Sequence, residues 1–167
     1  MNILFFLSPK QDLMYVYEDF TLRQTLEKWE KNRYASIPVL TRSGEYAGTL
    51  TEGDLLWGIK NLHGLDLEAA EDVPIHTFPH KRDYKPVRVT TTMEELLEAA
   101  AVQNFVPVVD DRNIFIGIVR RKAIIQYLMH QLSPDAVQSA AFWREPGETE
   151  PPQNRKKNVP VRENAGN

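Results

Sequence analysis

The chain has 167 residues, 42% of them hydrophobic, and its 20 basic and 23 acidic side chains give a formal net charge of −3. This length predicts one domain or two small lobes that share a core. The slight negative charge argues against nucleic acid or an anionic membrane as the general partner. Because cysteine is absent, disulfides and thiolate metal sites are excluded, and we expect a cytoplasmic location.

The first element in chain order is an apolar run, Ile3–Leu7, within residues 1–12. It has no basic region before it, Ser8 and Pro9 interrupt it, and it is far too short to span a bilayer. We therefore predict an additional N-terminal segment that packs on the core.

A first βαββα unit is predicted over residues 13–62. Thr21 and Gln24 have the spacing of a capping box, which predicts a helix start at this point. Two strands, 36–40 and 45–50, flank a turn that ends in Gly44, and a second helix is predicted over 52–62.

After a linker over residues 63–84, which contains a short acidic helical stretch, the same pattern returns over residues 85–132. Thr92 lies 71 residues after Thr21, and Pro107 lies 69 residues after Pro38, so two copies of one unit follow each other. The turn over 110–113 replaces the first turn without using glycine, and the last helix is predicted over 120–132. Beyond it, we expect a short helix over 133–143 and a disordered tail over 144–167, which holds four prolines.

The repeated strands resemble those of a tandem pair of CBS domains, named after cystathionine β-synthase. The resemblance covers about residues 10–132 and is carried by the motifs Ile37-Pro38-Val39 and Val106-Pro107-Val108 and by the glycine strands 46–50 and 115–119. It implies an α+β fold with two βαββα repeats related by a pseudo-twofold axis, two clefts between them, and often a homodimer. It also implies an adenosine-containing ligand that is bound for regulation and is not turned over.

The resemblance places cleft 1 at the start of the second helix of the first copy. There Thr51 and Asp54 match the family's ribose-binding positions, and a carboxylate is a suitable acceptor for two neighbouring hydroxyl groups. The same two residues also have capping-box spacing, so a purely structural role stays open. Arg88 is either a phosphate ligand or a solvent-facing strand residue. The opposite wall of cleft 1 is predicted to contain Val87, Arg88, Val89, Asn104, Phe105 and Val106.

Cleft 2 differs, because Arg120 replaces the threonine and Ala123 replaces the aspartate. Each cation in the first turn of a helix interacts unfavourably with the helix dipole, at a cost of about 0.3–1 kcal/mol. A bound anion at this position would compensate for that cost. Alternatively, some of these cations point to solvent or pair with acidic residues. Tyr34 is either a stacking surface for adenine or a packing aromatic. The predicted residues of cleft 2 are Met14, Tyr15, Val16, Tyr34, Ala35, Ser36, Ile37, Arg120 and Arg121.

We therefore predict a regulatory protein without catalytic residues, metal site or cofactor, which binds an adenine nucleotide, forms a homodimer and signals to an effector protein that the sequence does not identify. AMP, ADP, ATP and cyclic di-AMP all stay open as the ligand. Two arginines without an aspartate resemble a cyclic di-AMP-binding subset of the family, whereas Thr51 and Asp54 favour a mononucleotide. The alternative function is a structural or dimerisation module whose clefts are vestigial.

Overall fold

The structure is a computed structural model, and it describes residues 2–32, 34–64, 66–79 and 84–132. The predicted helix over 133–143 and the tail over 144–167 lie outside the described residues. Short 3-10 helices occur at Ile3–Phe6, Lys10–Asp12 and Ile75–Thr77. The strands and helices are β1 (Leu7–Pro9), β2 (Val16–Tyr17), α1 (Leu22–Glu30), β3 (Ser36–Leu40), β4 (Tyr46–Thr51), α2 (Glu52–His63), α3 (Leu67–Ala70), β5 (Val87–Arg88), α4 (Met93–Val102), β6 (Phe105–Val109), β7 (Phe115–Arg120) and α5 (Arg121–Leu132).

The predicted α+β fold with two βαββα repeats is confirmed. One sheet has the order β2-β3-β4 and the other the order β1-β7-β6-β5. In each half a short strand pairs in parallel with the proline strand, Val16 with Val39 and Val87 with Val108. The proline strand then pairs antiparallel with the glycine strand, and both pairs shift register near their ends. The sequence repeat is therefore also a repeat of strand register.

Local capping fixes where the helices begin. Capping boxes with both hydrogen bonds are present before α1, before α2 and before α4. Such a box satisfies two backbone N–H groups that would otherwise lack partners at the helix start. The two hairpin turns need a residue with positive φ, which Gly44 supplies at 93° in the first half and Asn113 at 67° in the second. The second turn therefore does not need a glycine, because Asn113 adopts the positive φ.

The N-terminal segment packs on the second half. Ile3 is fully buried and Phe6 is buried in the core of that half, together with Leu96 and Val119. β1 continues the contact, because it pairs antiparallel with β7 along Leu7–Pro9. The sheet of the second half consequently has one strand more than the sheet of the first.

A third apolar cluster joins the two halves. Leu40 of the first half packs with Phe105, Phe115 and Ile118 of the second. The hairpin tips also meet, since Phe115 N donates to the Gly44 carbonyl oxygen at 2.9 Å. The halves therefore face each other across a shared core, and any space left in that interface is a candidate cleft. Among the described residues, no helix combines the length and apolar character that a membrane crossing requires.

Candidate ligand-binding site

The last helix of the second half begins at the interface between the halves. α5 follows β7 without a loop, and Arg121 N donates to the carbonyl oxygen of Asn104 at 3.3 Å. The equivalent bond in the first half joins Glu52 N to the carbonyl oxygen of Ala35, also at 3.3 Å. These matched bonds fix each helix start beside the first residues of its own proline strand.

Cleft 2 is an open cavity of about 260 Å³ between the halves. Its walls come from the segment before β2, from the start of β3, from the start of β6 and from the β7–α5 junction. The lining residues are Leu13, Met14, Tyr34, Ala35, Ser36, Ile37, Pro38, Asn104, Phe105, Ile118, Arg120 and Lys122. Six of these are residues that the sequence assigned to cleft 2.

The charge in this cavity has one sign. Arg120 and Lys122 are both half-buried in its lining, and no aspartate or glutamate belongs to the described lining residues. An arginine side chain has no hydrogen-bond acceptor, so Arg120 does not provide the cap that Thr51 gives to α2. Two cations therefore lie at a helix start where the dipole already favours an anion.

Arg121 does not line this cavity. Its guanidinium donates through Nε and Nη2 to the carbonyl oxygen of Gln103, at 3.0 and 2.6 Å. Both bonds lie within the second half, so Arg121 ties α5 to the segment before β6. Lys122 takes the place in the cavity lining that was predicted for Arg121.

The structure also separates Tyr15 and Val16 from cleft 2. Val16 is fully buried in the core of the first half. Tyr15 lines a different cavity, on the other side of Leu13. Neighbouring side chains of an extended segment point to opposite faces, so Tyr15 leaves the side on which Met14 and Val16 pack, and Val16 is separated from the cleft by its depth in the core.

At cleft 1, Thr51 and Asp54 form the capping box that was one of the two predicted roles. The Thr51 side chain accepts from Asp54 N at 3.0 Å, and Asp54 Oδ2 accepts from Thr51 N at 3.0 Å. Asp54 is only 5% exposed. One carboxylate oxygen is thus used by the protein itself, which leaves less acceptor capacity for a ribose.

Tyr84 is the repeat equivalent of Leu13, which lines cleft 2, since the two residues are 71 apart. The Tyr84 ring is buried and packs edge-on against Phe105, with 5.9 Å between ring centroids. Gln103 is buried beside it and donates to the carbonyl oxygen of Lys85 at 3.3 Å. The segment with Tyr84 and Lys85 therefore packs beside the start of β6.

Val87, Arg88 and Val89, which were also predicted for cleft 1, make other contacts. Val87 and Val89 pack against the core of the second half, and Arg88 donates to the carbonyl oxygen of Asp111 in the hairpin turn at 3.5 Å. The register explains this, because Val87 pairs with Val108, near the end of β6 opposite to Phe105. The segment that lies beside the start of β6 contains Tyr84 and Lys85, which come three and two residues before Val87.

Three further predicted residues have a different placement. Asn104 and Phe105, which the sequence assigned to cleft 1, line cleft 2, and Val106 is fully buried in the core of the second half. Four residues that line cleft 2 were not predicted from the sequence, namely Leu13, Pro38, Ile118 and Lys122. The repeat offers a signal for Tyr84, because aligning it with Leu13 places a large ring where the other copy has a smaller side chain.

The CBS-domain family model matches residues 7–61 and 71–130, which together are more than half of the chain. This chain is a member of the CBS-domain family. Its two matched segments make it a CBS pair, in agreement with the repeat that the sequence indicates.

One relative found by sequence matches only part of this CBS pair. An uncharacterized protein of Methanocaldococcus jannaschii is 31% identical over 97 residues, which cover 58% of this chain and only 41% of that protein. The CBS pair therefore spans less than half the length of this relative.

Two solved structures share the fold. The CbpB protein of Listeria monocytogenes, in complex with c-di-AMP, is 21% identical with a TM-score of 0.67, over 75% of this chain and 93% of that one. CBSX2 in complex with AMP is 20% identical with a TM-score of 0.61, over 79% of this chain and 98% of that one.

Proposed function

We propose that this CBS pair is a regulatory, non-catalytic protein that binds an adenine nucleotide in cleft 2, with phosphate held by Arg120 and Lys122. The observation that carries the proposal is an open cavity of about 260 Å³ between the repeats, in whose described lining the charged residues, Arg120 and Lys122, are both basic. A phosphate in this place would neutralise two half-buried cations and receive charge-assisted hydrogen bonds.

The remaining walls suit a nucleoside. Tyr34 is 37% exposed at the cavity, so part of its ring is available for stacking on a base. Leu13, Phe105 and Ile118 provide an apolar floor, and the backbone at the start of β3 offers polar groups that can bind the edge of a base. We propose that adenine lies against Tyr34 and that the phosphate points toward α5.

Cyclic di-AMP is the ligand that we favour. The volume of about 260 Å³ is close to the lower end of the roughly 300–1,000 Å³ of ligand pockets, so one adenylate unit would be enclosed and the other would extend outward. A second phosphate is consistent with two cations and no carboxylate in the described lining. Support also comes from the c-di-AMP complex of CbpB, whereas the AMP complex of CBSX2 supports a mononucleotide.

We further propose that the protein acts as a homodimer and signals to an effector protein. The support is a set of exposed apolar side chains on two helices, namely Leu56, Trp57 and Leu62 on α2 and Ile125, Leu128 and Met129 on α5. Exposed apolar surface of this kind commonly marks an interface. A ligand between the repeats would then bias the packing of two subunits, provided that it binds their alternative arrangements unequally.

The proposal is tested by calorimetry with cyclic di-AMP, AMP, ADP and ATP on the wild-type protein and on Arg120→Ala and Lys122→Ala. We expect saturable binding of at least one nucleotide, weakened about tenfold or more by each substitution. Arg112→Ala is the matched control, because Arg112 is exposed in the β6–β7 turn and its loss removes the same charge. The absence of binding by all four nucleotides, or equal losses in Arg112→Ala and Arg120→Ala, would contradict the proposal.

A second candidate is a structural or dimerisation module. It is favoured by the capping box in which Asp54 is buried and by the exposed apolar side chains of α2 and α5. Sedimentation with and without nucleotide distinguishes the two candidates. A stable dimer that binds no nucleotide supports the module and argues against the sensor.

A further inference from the structure

A second basic cavity lies outside the two clefts. It has a volume of about 740 Å³ and opens between the 3-10 helix Lys10–Asp12, the α1 helix and the start of β7. Lys10, Tyr15, Lys28 and Phe115 are in its walls. We call it the Tyr15 pocket. Leu13 is shared with cleft 2, so the two cavities lie on either side of that residue.

Two ammonium groups converge on one aromatic ring in this pocket. Lys10 Nζ lies 5.2 Å and Lys28 Nζ 4.9 Å from the centroid of the Tyr15 ring. Since both distances refer to the same point, the two nitrogens are at most about 10 Å apart. The screening length at physiological salt is about 8–10 Å, so an anion beside the ring would lie within reach of the attraction of both cations.

The protein supplies no compensating carboxylate to these lysines. Among the described residues neither Lys10 nor Lys28 forms an ion pair, and the described walls of the pocket contain no aspartate or glutamate. Burial lowers the pKa of Lys28, with a smaller opposing effect from Tyr17. Lys28 is thus a cation that has lost solvation without gaining a counter-ion, a state that a bound anion would relieve.

The walls also add an apolar component to the pocket. Phe115 is almost fully buried, so it supports Tyr15 from the core, whereas Leu13, Tyr15 and Ile116 are half-buried lining residues. Burial, together with a hydrogen bond to Tyr17, raises the pKa of Tyr15. A flat or apolar group can therefore lie along Tyr15 and Ile116 while an anionic group reaches the lysines.

We propose that the Tyr15 pocket is a separate binding site for a small phosphorylated molecule, held through its phosphate by Lys10 and Lys28 and through its apolar part by Tyr15 and Ile116. This site does not depend on the proposed nucleotide in cleft 2. It assigns a function to two lysines that the capping, core packing and cleft geometry leave unused.

The test is an NMR titration of the full chain with phenyl phosphate, observing the signals of Tyr15 and of the Lys28 side chain. We expect saturable shifts and an increase in the pKa of Lys28, because a bound anion favours the protonated amine. Lys10→Gln and Lys28→Gln should each weaken binding about tenfold or more. The neutral analogue benzyl alcohol, at the same concentrations, should produce no saturable shift.

Two control variants distinguish binding in the Tyr15 pocket from a general effect of charge and from binding in cleft 2. Lys31→Gln removes the same charge from an exposed position just after α1 and should bind phenyl phosphate as the wild type does. Arg120→Gln removes a cleft 2 cation and should leave the Tyr15 and Lys28 shifts intact, so failure of the nucleotide proposal would not affect this result. Absence of saturable shifts in the wild type, equal binding of benzyl alcohol, or equal losses in Lys31→Gln and Lys28→Gln would overturn the proposal.

Discussion

Alanine at Gly117 should disrupt the contact between the N-terminal segment and the second half. A Cβ atom at this position would lie 2.3 Å from the Ser8 carbonyl oxygen and 3.1 Å from Pro9 Cα. Both are backbone atoms, so no change of rotamer relieves the overlap. β1 must shift away from β7, with which it pairs from Leu7 to Pro9.

The expected loss of stability follows from the free-energy cost of shifting β1. Overpacking a well-packed site usually costs about 1–3 kcal/mol, and each weakened backbone hydrogen bond adds about 1 kcal/mol. If β1 moves as a whole, the burial of Ile3 and Phe6 is also reduced, and full loss of that burial would cost about 1.5–3 kcal/mol for each side chain. We therefore expect Gly117→Ala to lower the free energy of unfolding by about 3 kcal/mol.

Gly48 provides a matched control, because it is the equivalent residue of the first repeat. A Cβ atom there would meet nothing within 4 Å. Urea unfolding followed by circular dichroism should therefore give a change within about 0.5 kcal/mol for Gly48→Ala. Similar free energies of unfolding for the two variants would refute the argument that β1 closes over Gly117.

The remaining predictions concern single side chains. Tyr84 Oη is buried without a hydrogen-bond partner among the described residues, so Tyr84→Phe should leave the melting temperature unchanged or raise it slightly. Tyr46→Phe should instead lower the free energy of unfolding by about 1 kcal/mol, because the Tyr46 hydroxyl bonds to the Thr49 hydroxyl and to the Tyr84 carbonyl oxygen. Thr51→Ala should cost about 1 kcal/mol in urea unfolding through loss of the α2 cap, without weakening a ligand in cleft 2. Arg121→Gln should lower stability yet keep nucleotide affinity in calorimetry, the opposite of Arg120→Gln, because Arg121 binds a backbone carbonyl and does not line the cavity.

The two clefts became unequal through a few substitutions at equivalent positions. Leu13 and Tyr84 differ in size, and Arg120 and Thr51 differ in charge and in capping ability. The Tyr84 ring is buried against Phe105, whereas Leu13 lines cleft 2. Arg120 makes the described lining of cleft 2 basic, whereas Thr51 caps α2. A duplicated unit has in this way produced one cavity suited to an anion and one helix start that is capped by its own side chains.

Local signals in the sequence were sufficient for much of the fold. The helix starts at Thr21, Thr51 and Thr92 depend on a side chain and a backbone group only three residues apart, and all three caps are present. The proline and glycine strands follow from short patterns that occur twice. Element ends moved by one residue, as at β4 and α5, because fraying at element ends depends on neighbours in space.

Short sequence patterns were less successful in predicting which side chains line the clefts. Val87–Val89 were expected at Thr51, but the register moves the relevant wall to Tyr84 and Lys85. Arg120 and Arg121 look interchangeable in the sequence, yet one lines cleft 2 and the other binds Gln103. A shift of one residue reverses the direction of a side chain, so such assignments need the register and the helix phase.

The order of residues was enough to establish that this chain is a duplicated unit, where its helices and turns begin, and that the two copies differ in charge at their last helices. These properties depend on contacts between residues close in the chain. The openness of cleft 2, the burial of Tyr84 against Phe105 and the meeting of two distant lysines at Tyr15 emerge from the folded arrangement. They depend on how the two sheets pack against each other, because the free volume between them is set by side chains that are far apart in the sequence.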